Sequence, residues 1–119
     1  MDSFVTRSLS SIPIEQAHGG TGARQVIFSR DDGLSKHLDA ATKGFLEPNA
    51  QFDWHDHNVD EFFVVLEGEG KVSYRSDAGE TVTESYQPGD IFYCRTGLMH
   101  KIECLGSKRS EYIFVRLDG

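Results

Sequence analysis

From Arg24 to the end of the chain the apolar positions fall into short runs broken by glycine, proline, asparagine and aspartate, the residues a chain uses where it must turn. Strands are predicted over Arg24–Ser29, Leu38–Leu46, Gln51–His57, Glu61–Glu67, Lys71–Arg75, Thr81–Ser85, Asp90–Cys94, Lys101–Leu105 and Glu111–Leu117, with a short helical turn around DDGLSKH (31–37). The breaks are EPNA, EGEG, DAGE, QPGD, RTG and LGSK. No segment after residue 46 sustains a helical period, so the pattern points to an all-β sandwich or barrel.

In EFFVVLE (61–67), Glu61, Phe63 and Val65 share one face and Phe62, Val64 and Leu66 the other. Both faces are apolar, whereas a strand with one wet face would alternate. The second face is therefore expected to be covered by another sheet or by a second copy, and a homodimer is the expected assembly.

The length of 119 residues suits a single domain. Residues 1–23 read as an N-terminal arm and 24–119 as the barrel. A net charge of -7 argues against nucleic acid and against an anionic membrane surface. No run is long and apolar enough for a membrane span, and the N-terminus has no signal-peptide core, so a cytoplasmic protein is expected. Cys94 and Cys104 do not make a disulfide framework. AHGGTGA (17–23) is linker-like. It is not a nucleotide fingerprint, because the third glycine would fall at Gln25 and no strand precedes it.

The chemistry concentrates in HDHNVDE (55–61). On a strand, His55 and His57 project from one face. Two imidazoles turned into a barrel would be costly without partners, and a shared cation resolves that, since neutral imidazole is a common metal ligand. Glu61 opens the next strand after a tight turn, and His100 follows the GDIFYCRTGLMH stretch (89–100). Three nitrogens and one oxygen suit one divalent transition metal, Fe, Mn, Co, Ni, Cu or Zn, with positions left open for a substrate. The competing readings are two surface histidines on a polar turn, a metal that only stabilises the barrel, and a thiolate site built from Cys94, Cys104 and His100. Asp53 shares the strand parity of the two histidines and is a candidate partner behind the metal ligands or a candidate acid or base; the competing reading places it in solvent beyond the barrel rim. Arg95, on the loop before His100, is a candidate clamp for a substrate carboxylate. Tyr74, Tyr93 and Tyr112 are candidate proton donors. His18 and His37 read as surface residues, and Trp54 as core or interface.

The stretch HDHNVDEFFVVLEG (55–68) resembles the first motif of the cupins, and GDIFYCRTGLMH (89–100) resembles the second. The chain departs from the family at Asn49, where a glycine is usual, at Arg95, where proline is usual, and at Cys104, where asparagine is common. The resemblance runs over about residues 24 to 117. It implies a small double-stranded β-helix, or jelly roll, usually dimeric, with His55, His57, Glu61 and His100 as metal ligands. The function it implies is a metal-dependent enzyme acting on a small polar carboxylate or sugar derivative. Isomerase, epimerase, lyase and dioxygenase chemistry all remain open. The alternative is a cupin that binds or senses a small ligand without turnover.

Overall fold

A computed structural model describes residues 3–17 and 22–119. Among the described residues ten strands run in the order β1 (Glu15–Ala17), β2 (Gly22–Ser29), β3 (Leu38–Leu46), β4 (Gln51–His55), β5 (Asp60–Glu67), β6 (Gly70–Arg75), β7 (Thr81–Tyr86), β8 (Ile91–Cys94), β9 (His100–Cys104) and β10 (Ser110–Leu117). They form a six-stranded sheet, β1-β2-β3-β10-β5-β8, and a four-stranded sheet, β4-β9-β6-β7. Every strand pair is antiparallel. This is the all-β architecture expected from the strand pattern, in the jelly-roll form that the cupin resemblance implied. The turn in DDGLSKH is a single 3-10 turn, Arg30–Asp32, ended by Gly33 in the left-handed region.

The larger sheet begins within the arm, since β1 adds to its edge beside β2 and Ala17 joins the core cluster. Upstream, Gln25 donates its side-chain amide to the carbonyls of Leu9 and Ile12, and Arg7 pairs with Asp32. The arm is thereby laid along β2. Most of the linker-like stretch, including His18, lies outside the described residues. His37 is exposed, as expected.

The two sheets close on a core in which Leu46, Phe63, Val65, Ile102, Cys104 and Tyr112 are almost fully buried. Backbone bonds from Asn49 N to Cys104 O (2.8 Å) and from Cys104 N to Ala50 O (3.0 Å) fix β4 against β9. Asn49 has φ 70°, the left-handed conformation that asparagine tolerates better than most residues. It does the work of a glycine in that turn.

Cys94 and Cys104 are free and buried. Cys104 lies away from the pocket mouth; its thiol donates to Lys108 O (3.3 Å) and helps close the LGSK turn. Tyr112 is also deep in the core, hydrogen-bonded to Tyr86, and burial holds its hydroxyl far above the ordinary range. The second face of β5 is only partly covered within one chain. Phe62 and Val64 are half-buried, while Leu66 and, on β8, Ile91 and Tyr93 are exposed.

Candidate metal centre

The strand predicted over Gln51–His57 ends at His55, so His57 lies in the loop beyond it. β4 also slips register between Phe52 and His55. Phe52 faces Ile102 and His55 faces His100, so three steps on β4 match two on β9. Such a bulge reverses the side-chain alternation. It lets Phe52 (3% exposed) enter the core while His55, three residues on, still meets the site. It also undoes the inward parity expected for Asp53. That carboxylate is exposed and accepts from the Trp54 backbone N–H (2.8 Å). Asp53 serves the site through its backbone carbonyl instead, 2.6 Å from His55 Nδ1.

His100 opens β9 and is 1% exposed, with Nδ1 2.8 Å from the carbonyl of Leu98. A carbonyl can only accept, so in His55 and His100 the proton sits on Nδ1 and the lone pair of the neutral ring on Nε2. His57 is held through its backbone, whose carbonyl accepts from Gly97 N at 2.9 Å. One ligand atom from each of the three histidines lies within 4.8 Å of the others, a group that could hold a metal ion. His57 Nε2 and His100 Nε2 are buried and have no hydrogen-bond partner among the described residues.

Glu61 enters on β5, 2% exposed, and stands beside this trio. Its Oε1 is 3.4 Å from His57 Nε2 and 3.8 Å from His100 Nε2. These contacts lie in ion-pair range without hydrogen-bond geometry. Two ligand atoms bound to one cation at about 2.1 Å would stand roughly 3 to 3.5 Å apart. The observed spacing is therefore close to that of ligands around a shared ion. Glu61 Oε2 accepts from Arg116 Nε at 2.9 Å. Burial alone would raise the Glu61 carboxyl, but its positively charged surroundings hold the group below the ordinary carboxylate range, and the Arg116 guanidinium is the hydrogen-bonded part of them. Orphaned imidazole nitrogens beside a buried carboxylate are the donor set a divalent metal takes.

The cavity over these residues has about 30 Å³ open to the centre of a water-sized sphere. Its wall includes His55, His57 and Glu61, the apolar Phe52, Ile102 and Phe114, and two arginines, Arg24 and Arg116. Arg24 donates from Nε to Glu15 Oε1 at 2.8 Å, so the arm strand anchors it.

Other expected contributors lie elsewhere. Arg95 is exposed and lines a separate open groove with Arg75 and Tyr93. Arg95 is not among the residues that line the cavity. Tyr93 donates to Asp60 on the outside of the sheet (2.5 Å), and neither Tyr74 nor Tyr112 lines the cavity. Nor do the cysteines join the histidine group. The two arginines the cavity does hold escaped the sequence reading. Arg116 had a signal, because it continues the inward parity of Tyr112 and Phe114 on β10.

The cupin-domain family model matches residues 45–116. The chain therefore belongs to the cupin family. Among curated proteins it is 29% identical over 100 residues to oxalate decarboxylase OxdC of Bacillus subtilis, a match that covers 84% of this chain and 25% of that protein. Among solved structures it resembles the E162A mutant of the same decarboxylase (TM-score 0.79, 25% identity, 99% of this chain and 31% of that one). It also resembles the Lactobacillus farciminis oxalate decarboxylase formate complex (TM-score 0.79, 22% identity, 98% of this chain and 34% of that one). The chain spans about a quarter of the curated relative's length and about a third of the solved chains.

Proposed function

We propose that this cupin is a divalent-metal enzyme acting on a small carboxylate, with lyase chemistry of the decarboxylating kind. His55, His57, Glu61 and His100 would hold the metal. The observation that carries the reading is the pair of buried, unpartnered Nε2 atoms of His57 and His100 beside the Glu61 carboxylate. The metal, when bound, supplies a Lewis acid for a substrate oxygen. Manganese is the favoured candidate, because Mn(II) centres belong to the oxalate decarboxylase this fold resembles.

The chain's own residues support the substrate class. Arg24 and Arg116 place two guanidinium groups on the wall of a cavity with room for only one or two waters. That space favours an acid of a few heavy atoms over a sugar derivative. Guanidinium groups recognise carboxylates by geometry as well as charge. Among the described wall residues Glu61 is the only carboxylate, and it already stands beside the histidines. Isomerases and epimerases need a separate base to move a proton. A decarboxylase needs no such base to break its carbon–carbon bond, and this favours the lyase reading, as does the similarity to oxalate decarboxylase.

The test starts with protein purified without a nickel column. Elemental analysis should find about one transition metal per chain, lost in His57→Ala. Release of CO2 is then followed over a panel of short mono- and dicarboxylic acids, oxalate included. Metal-dependent binding of an acid with no turnover would move the protein to the ligand-binding class. Failure to take up metal on reconstitution would sink the metal centre itself.

A further inference from the structure

We propose that Arg116 is a positioning residue that makes Glu61 a one-oxygen ligand, and so sets how many coordination positions stay open for substrate. The proposal rests on the metal-centre reading above. Arg116 and Glu61 are register partners across the β10–β5 pair, and directly opposed side chains are the closest neighbours a sheet offers. The guanidinium therefore reaches the carboxylate from the adjoining strand rather than from a mobile loop. Its Nε donates to Oε2 at 2.9 Å, while Oε1 is the oxygen that faces His57 and His100. The two oxygens are thus divided between the cation on the wall and the histidine group. Glu61 is 2% exposed, so the carboxylate has no solvent to turn into, whereas Arg116 is 29% exposed and reaches the cavity.

A carboxylate can give a metal one oxygen or two. Three imidazole nitrogens with one oxygen fill four positions of a six-coordinate ion and leave two. A second Glu61 oxygen would leave one. A substrate that must bind beside another small reactant, or through two of its own oxygens, needs both. By engaging Oε2, Arg116 keeps that oxygen from closing the second position. Its charge also faces the only carboxylate among the described wall residues, so removing it would free Glu61 to swing both oxygens toward the metal.

The experiment is water-proton relaxation of the Mn(II)-loaded protein, read per bound Mn, for the wild type, Arg116→Met and Arg116→Ala. Arg116 sits near the end of β10, and either truncation serves if the other fails to fold. The expected result is one Mn per chain in all three, with the inner-sphere water contribution in the variants falling to about half of the wild-type value as two open positions become one. A role confined to stability would change melting temperature and leave relaxation per bound Mn alone. Unchanged relaxation in a folded, Mn-loaded variant would overturn the proposal. So would loss of Mn binding in both variants, since Arg116 would then build the site rather than set its open positions. A wild type that takes up no Mn, unlike these outcomes, would remove the metal-centre reading itself and this proposal with it.

Discussion

His55 and His100 face each other as register partners across the β4–β9 pair, with ring centroids 4.2 Å apart. His57 brings a third ring to within 4.9 Å and 5.5 Å of these two. Three imidazoles converge here, and two of their nitrogens are orphaned in the interior. A metal that binds only the folded chain stabilises it by about 2.7 kcal/mol at a hundredfold excess over Kd. For a domain of this size that raises the melting temperature by about 10 °C. Calorimetry of metal-loaded and chelator-treated protein should show this difference, and His100→Ala should abolish it. Equal melting temperatures with and without metal would return the cluster to a purely structural role.

The support behind the ligands passes through Asp60. Its carboxylate accepts from Tyr93 Oη (2.5 Å) and from both the backbone N–H and Oγ1 of Thr96 (2.8 Å each). The turn tied down in this way carries Gly97, whose N–H holds the His57 carbonyl, and Leu98, whose carbonyl fixes the His100 tautomer. Partners one step behind metal ligands typically contribute ten- to a hundredfold in affinity. Asp60 stands a further step back, so Asp60→Ala is expected to weaken metal binding several-fold, up to about tenfold, while the barrel stays folded, as measured by competition with a chromogenic chelator. An unchanged affinity would show that the turn holds its shape without the latch.

Much of this was legible in the sequence, and the misses share a physical cause. Strand existence was readable because each run is bounded by turn residues; Leu38–Leu46 matches residue for residue. The histidine trio was readable because HxH near a strand end and a histidine after a glycine turn bring rings together across β4 and β9. Asp53 was misplaced because alternation was extended through a bulge, and a bulge depends on the partner strand, which local pattern does not show. For Arg95 the pattern left a carboxylate clamp and a solvated loop residue both open, because loop direction is set by tertiary bonds such as Thr96 to Asp60. Arg24, on the cavity wall, is paired with Glu15 of the arm strand, a pairing no local pattern announces.

Gly44 makes the cavity wall thin. It lies on β3 and lines the same cavity as His55 and His57, and a Cβ there would stand 2.5 Å from the Phe114 ring. That ring is packed against Phe52, Phe63 and Tyr112, so it has little room to retreat. Gly44→Ala is expected to destabilise the fold by about 1 to 3 kcal/mol, the usual range for overpacking. It should also weaken binding of the small carboxylate. Urea denaturation checks the first effect and calorimetric titration of the metal-loaded protein the second. Wild-type stability would mean that Phe114 repacks without cost.

The arm should respond to acid before the barrel does. Arg7 grips Asp32 through both terminal nitrogens (3.1 and 3.0 Å), donates to the Ile27 carbonyl (2.7 Å) and lies over the Phe28 ring. The Arg7 guanidinium, followed by the Ser29 backbone N–H, holds the Asp32 carboxyl below its ordinary range. A carboxyl lowered in the folded state contributes fully above its unfolded pKa, near 3.9, and loses that contribution as pH falls through the lower folded value. Amide NMR signals of residues 3–12 should hold their positions from pH 7 to about pH 5 and move toward unstructured values below about pH 4. Core signals such as those of Ile102 and Tyr112 should lag behind. Arg7→Ala should show the released arm already at pH 7. Arm signals that stay fixed down to pH 2, or an Arg7→Ala spectrum matching the wild type at neutral pH, would mean that the Gln25 bonds to Leu9 and Ile12 hold the arm without help from the ion pair.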